Sequence, residues 1–129
     1  MDNKYTSEEY LYSEITSKLI RFAYDIYDEL GYGLPERVYH KAFEKLLEEN
    51  DIKYQREKYG VVKFNGTNIG KYFLDFLIDG KVALEFKVRN EIYETDVNQL
   101  LNYIKLEKIR IGLLIVFTKN GLKLKRLIN

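Results

Sequence analysis

Residues 72–88 read Tyr-Phe-Leu-Asp-Phe-Leu-Ile-Asp-Gly-Lys-Val-Ala-Leu-Glu-Phe-Lys-Val. Two apolar runs, Tyr72 to Ile78 and Val82 to Val88, flank Asp79-Gly80, the pattern of two strands joined by a tight turn. Each run holds charges that a central strand tolerates poorly: Asp75 in the first, Glu85 and Lys87 in the second. Val82, Leu84, Phe86 and Val88 share one face of the second strand, so Ala83, Glu85 and Lys87 share the other. Either that other face is solvated, as on many antiparallel sheets, or the charges are paired or bound to a metal. The turn separates the two cases. A two-residue turn pairs Asp75 with Leu84 and turns it away from Glu85. We expect a three-residue loop instead, with Gly80 left-handed in a bulge, pairing Asp75 with Ala83 and bringing Asp75, Glu85 and Lys87 to one side. Two carboxylates on adjacent strands make a hard oxygen site suited to Mg²⁺. A lysine beside them can orient or deprotonate an attacking water and offset phosphate charge.

On the N-terminal side, Leu11, Ile15, Leu19, Phe22, Ile26 and Leu30 recur at helical spacing, which predicts a long helix from Ser7 to Leu30 closed by Gly31. Pro35, the only proline, opens a second helix with an apolar face of Val38, Ala42, Phe43, Leu46 and Leu47, ending at Asn50. Two short strands are expected at Ile52 to Glu57 and Val61 to Phe64, followed by an Asn65-Gly66 hairpin turn. On the C-terminal side a helix over Thr95 to Glu107 precedes Ile109 to Phe117, a run apolar enough for a strand covered on both faces. Leu122 to Ile128 alternates leucine and lysine like a protected edge strand. The expected order is α-α-β-β-β-β-α-β-β, an α/β (α+β) fold with a mixed sheet flanked by helices in one domain over residues 1–129.

Composition bounds the chemistry. With 129 residues, 46% hydrophobic and 32% charged, the chain has the balance of a globular domain. It has no cysteine, which excludes disulfides, thiolate zinc sites and a cysteine nucleophile. Its one histidine, His40, excludes sites that need two imidazoles; it is expected to be solvated on the second helix and is assigned no chemistry. Met1 to Tyr10 is polar and acidic, unlike a signal peptide, and no apolar run is long enough to span a bilayer. We therefore expect a soluble cytoplasmic protein with no membrane partner. The net charge of +1 hides a gradient: residues 1–49 carry 6 basic and 11 acidic side chains, residues 105–129 carry 7 and 1. Lys119, Lys123, Lys125 and Arg126 lie in that basic end, where they fit a phosphate-binding strip and a charged edge strand equally well.

The spacing Asp75, nine residues, then Glu85-Phe86-Lys87 resembles the PD-(D/E)XK nuclease signature. Gly33-Leu34-Pro35-Glu36-Arg37-Val38-Tyr39 resembles a GxxExxY motif, and Gln99-Leu100-Leu101-Asn102-Tyr103 resembles the Gln-x-x-x-Tyr helix of the RecB-like branch. The chain is similar to the GxxExxY family of the PD-(D/E)XK superfamily from about Ser13 to Asn129. It departs by having Leu74 where the signature has proline, and Val116 where members often have asparagine before Phe117.

The resemblance implies a restriction-endonuclease-like core and a Mg²⁺-dependent deoxyribonuclease, with Mn²⁺ as substitute, in which a metal-activated water hydrolyses DNA phosphodiester bonds during repair or processing. It implies Glu36, Asp75 and Glu85 as metal ligands and Lys87 as the catalytic lysine. Gln99 would help position lysine, water or phosphate, and Tyr39 and Tyr103 would support the site. Each position also has an ordinary reading: Glu36 suits a helix N-terminus, and Gln99 and Tyr103 suit a surface pair one turn apart. The alternative function is a non-catalytic nucleic-acid- or protein-binding module that keeps the nuclease fold. A domain this small covers a short stretch of duplex, which leaves room for a homodimer or a protein partner.

Overall fold

The computed structural model describes residues 12–129. Helix α1 runs Ser13–Leu30, so the part of the first helix expected over Ser7 to Leu11 lies outside the described residues, as does Met1 to Tyr10. Its stripe of Leu19, Phe22, Ala23 and Ile26 is buried, and Gly31, at φ +70°, ends it by donating its N–H to the Tyr27 carbonyl. Helix α2 spans Glu36–Glu49, with Pro35 as the residue just before it and Glu36 in its first turn. Strands β1 (Tyr54–Phe64), β2 (Thr67–Ile78) and β3 (Val82–Val88) follow. Helix α3 (Glu94–Glu107) then crosses over to β4 (Ile111–Thr118), and β5 (Gly121–Ile128) completes the chain. No helix among the described residues is long and apolar enough to cross a membrane.

The sheet order is β1-β2-β3-β4-β5, antiparallel except for the parallel pair β3–β4, which requires the α3 crossover. This is the mixed sheet flanked by helices expected from sequence, with one correction. The two short strands expected at Ile52 to Glu57 and Val61 to Phe64 are the single strand β1, so the order is α-α-β-β-β-α-β-β. Gly60 sits inside β1 because the Tyr72 ring lies over it across the strand pair, where a Cβ would overlap the ring.

Helices α1 and α2 cover one face of the sheet, packing Leu19, Phe22, Tyr39 and Phe43 against Phe76, Phe86, Ile115 and Phe117. Helix α3 covers the other, packing Leu100 and Ile104 against Ala83, Leu114 and Val116. Its approach is close at Gly112, where a Cβ would stand 3.1–3.2 Å from those two side chains. Covered on both sides, β4 is buried along its whole length.

The β1–β2 hairpin turns over partway along. Glu57, in the left-handed region at φ +52°, and Asp75 are skipped by the ladder between Arg56↔Phe76 and Lys58↔Leu74, although the register is kept. On one side of the gap Arg56 bonds Glu44 of α2 at 2.8 Å and Phe76 joins the α1/α2 core. On the other, Lys58 meets Glu107 of α3 at 2.8 Å and Leu74 joins the α3 core. Positions two apart on a regular strand share a face. Here they face opposite layers, so Glu57 and Asp75 mark a pivot. Beyond it β2 no longer pairs with β3, which it meets only from Phe76 to Ile78, and the hairpin continues as a two-stranded arm.

Candidate functional site

The pivot frees the main chain of Asp75 from the ladder, and side chains take the place of backbone partners. The Asp75 N–H donates to Glu85 Oε1 at 3.0 Å, and the Phe86 N–H donates to Asp75 Oδ2 at 2.9 Å. The loop between β2 and β3 has three residues with Gly80 at φ +66°, as expected, but the expected pairing of Asp75 with Ala83 is wrong. The loop closes at Ile78↔Val82 and Ala83 pairs with Leu77, so counting three residues out from the closing pair sets Asp75 opposite Glu85.

Helix α2 brings a second group to the same place. Tyr39 is fully buried; its hydroxyl donates to the Gly31 carbonyl at 2.6 Å and accepts from the Leu34 N–H at 3.3 Å, while its ring stacks on Phe117 at 4.2 Å. That anchorage fixes the entry loop and therefore the first turn of α2, where Glu36 stands. One turn later comes His40, which is buried and not solvated as expected. It is 7% exposed and lies between the rings of Phe76 and Phe86, at 5.6 and 5.2 Å. Its Nε2 is 3.6 Å from Glu36 Oε1 and 3.5 Å from Asp75 Oδ2, and it has no hydrogen-bond partner among the described residues. The spacing of Glu36 and His40, four residues apart on one helix, was the available signal. What could not be seen was that the pivot carries Asp75 into their reach.

Burial, followed by the neighbouring Asp75, raises the Glu36 carboxyl above its usual range. Burial also acts to raise Asp75, but the His40 imidazole and the Phe86 N–H outweigh it and hold the carboxyl below its usual range. Burial and the Asp75 charge push Glu85 up to about 9. The half-buried Tyr103 of α3 is raised by burial and then by Glu85 and Asp75, so the tyrosine stands close enough to feel both carboxylates. Lys87 acts in the opposite sense on Glu36 and Glu85, as does Arg89 on Glu36. Arg89, which sequence reasoning missed, continues the Glu85-Lys87 alternation and pairs with Asp96 of α3 at 3.2 Å. The pivot gap thus admits groups from α2 on one face of the sheet and from α3 on the other.

Gln99 is exposed in a groove of about 470 Å³ between α3 and the arm, together with Tyr103, Tyr72 and Lys71. The basic residues of the C-terminal hairpin do not make one strip. Lys119 lies in the turn before β5, exposed Lys123 and Lys125 lie on the face of β5 opposite Leu122 and Leu124, and Arg126 alternates to the leucine face.

The donor set fits a divalent cation. Ligand atoms of Glu36, His40 and Asp75 all lie within 4.8 Å of one another, and the separations from the imidazole nitrogen are too long for hydrogen bonds. A buried ring nitrogen with no hydrogen-bond partner among the described residues, lying between two carboxylates, is a donor that a shared ion would satisfy. Glu85 adjoins this group with one oxygen engaged by the Asp75 N–H.

The sequence profile of the PD-(D/E)XK nuclease superfamily matches residues 13–127. No curated protein matches the chain. Among solved structures, the crystal structure of SSO0001 superposes with a TM-score of 0.57 over 72% of this chain, at 18% sequence identity. At that identity the likeness concerns the fold, and the match spans 50% of the length of SSO0001.

Proposed function

The chain belongs to the PD-(D/E)XK nuclease superfamily, and from that premise we propose that it is a metal-dependent nuclease of the GxxExxY type that hydrolyses DNA phosphodiester bonds at the pivot. The observation that carries this reading is the buried His40 Nε2 between Glu36 and Asp75, which no hydrogen bond satisfies among the described residues. Glu36, His40 and Asp75 would hold the ion, with Glu85 adjoining them. The carboxylates suit Mg²⁺, and the imidazole extends the set to Mn²⁺. A divalent ion at such a site supplies Lewis acidity and a nucleophile at neutral pH.

The chain's own groups do the rest. The Phe86 N–H fixes Asp75 Oδ2, so that carboxylate is preset in direction. The Asp75 N–H does the same for Glu85 Oε1. Lys87, whose charge reaches both Glu36 and Glu85, offers an ammonium to a phosphate oxygen as negative charge develops on it. Tyr103 approaches from α3 and bounds the site on the side of the groove.

The test is cleavage of plasmid, linear and branched DNA with Mg²⁺ or Mn²⁺ by wild type, Glu85→Ala, Lys87→Ala and His40→Ala proteins. Each variant is expected to lose about 10²–10³-fold in rate, the scale of removing one preorganised electrostatic group. Mn²⁺ should raise the melting temperature of wild type but not of His40→Ala. Equal rates in all four proteins would sink the proposal. A wild type that neither binds the ions nor cleaves would be the non-catalytic module instead.

A further inference from the structure

The arm beyond the pivot has features the cleavage site does not use. From Lys58 to Phe73 it carries three lysines and no acidic residue. Lys58 is bound to Glu107, but Lys63 and Lys71 are exposed. On the arm, Tyr59 and Phe73 meet edge to face at 5.4 Å and are each 53% exposed; Phe64 and Ile69, flanking the tip, are each 63% exposed. The tip is a turn with Asn65 at φ +48° and Gly66 at φ +78°, and the side chains of Asn65 and Asn68 are open to solvent. Apolar side chains left out in this density mark a contact surface, and the arm's uniform positive charge selects a polyanion. A second copy on the same face would bring one positively charged arm against another.

We propose that the β1–β2 arm is a duplex-gripping ribbon that lies in a groove of double-stranded nucleic acid and seats the backbone beside the pivot. This rests on the nuclease reading of that site. A two-stranded ribbon fits a major groove about 12 Å wide. The strand from Thr67 to Leu74 spans about 26 Å at the usual rise per residue, within one turn of duplex. Lys63 and Lys71 then meet phosphates, Tyr59 and Phe73 pack on sugar and base edges, and the amides of Asn65 and Asn68 meet base edges at the tip.

The experiment measures binding of a labelled duplex and of its single strand by fluorescence anisotropy, in EDTA so that nothing is cleaved, across a salt series. Wild type should prefer the duplex. The double variant Lys63→Glu/Lys71→Glu should weaken duplex binding at least tenfold and flatten the salt dependence by about two units of slope, the loss of two phosphate contacts. Tyr59→Ala/Phe73→Ala should weaken it about tenfold with the slope unchanged, on the scale of one or two lost stacking or apolar contacts. Melting temperature and Mn²⁺ binding should stay at wild-type values in both. Unchanged duplex binding in both double variants overturns the proposal. So does sedimentation showing a dimer that Tyr59→Ala/Phe73→Ala dissociates, which would make the face an interface between copies. Arm-dependent binding without cleavage by wild type would leave this proposal standing and defeat the nuclease reading. Cleavage and binding that ignore the arm would do the reverse.

Discussion

The β1–β2 hairpin keeps its register across the pivot and shifts it only at a bulge between Val62 and Lys63, yet its two halves differ in almost everything else. From Tyr54 to Arg56 and Phe76 to Ile78 the strands lie inside a five-stranded sheet, and Phe76 and Ile78 are fully buried under α1 and α2. From Lys58 to Leu74 the same strands have, among the described residues, only each other and one flank of α3, and Tyr59 and Phe73 face solvent. The candidate site lies on the boundary. There β2 parts from β3, and the N–H groups of Asp75 and Phe86, one on each strand, find carboxylate acceptors. A polar site inside an apolar core comes at the point where the backbone ladder runs out.

The comparison breaks most visibly under truncation. Phe86→Ala, in the sheet beside His40, should lower unfolding stability by about 3–5 kcal/mol, whereas Phe73→Ala on the arm should stay within about 0.5 kcal/mol. Urea denaturation of the two variants checks this, and similar losses would mean that the arm is packed like the core. Gly60→Ala sharpens the border itself. Its methyl group must displace the Tyr72 ring, which stacks on Tyr103 at 5.0 Å, so a loss of about 1–3 kcal/mol is expected. Tyr72→Ala in the same chain should absorb part of that loss, as coupled neighbours do.

The boundary should also show in the pH dependence of the metal-free protein. Glu85 has a folded-state pKa raised by burial and by Asp75, so its protonated form is the one the fold favours. Its contribution is fully present below the unfolded carboxylate pKa and is lost as pH rises through the folded value of about 9. Glu36, also raised, acts in the same sense. Asp75 is lowered, and its contribution disappears only as pH falls below the usual carboxylate range. Thermal melts should therefore show stability falling between roughly pH 5 and pH 8, with a flatter profile in Glu85→Gln. A profile that rises over that interval would contradict the assigned protonation. The smallest effect is expected at the other half of the pivot. Glu57 holds a left-handed conformation that costs a side chain about 1–2 kcal/mol, against the 0.5–1 kcal/mol of chain entropy that glycine loses. Glu57→Gly should raise the denaturation midpoint slightly; a fall would show that its side chain does more than tolerate the turn.

The helices were legible because Leu19, Phe22 and Ile26 of α1 and Phe43 and Leu47 of α2 repeat at helical spacing and are buried. Strand β3 was legible to its ends because Val82 to Val88 alternates between turn and charge. That Asp75 and Glu85 meet was also readable, since side-chain parity survives a shift of two residues in the partner, and Glu85 stands two residues beyond the expected Ala83. Strand β1 was not readable as one piece. Tyr59-Gly60 looks like a break until Tyr72 is seen lying over the glycine. His40 was missed because a lone histidine among polar helix residues carries no local sign of Phe76 and Phe86, which are 36 and 46 positions away in the chain.

The pivot keeps register while exchanging faces, and this makes the arm separable from the rest of the molecule. Removing or adding two residues on each strand between Lys58 and Leu74 preserves which side chains face α3, whereas a change of one residue has to be taken up in a bulge, as between Val62 and Lys63, or it inverts the side chains beyond it. Homologous chains can therefore lengthen or shorten this hairpin in paired steps without disturbing Asp75 and Glu85. The tip at Asn65-Gly66 is where natural variation in chain length is expected to accumulate.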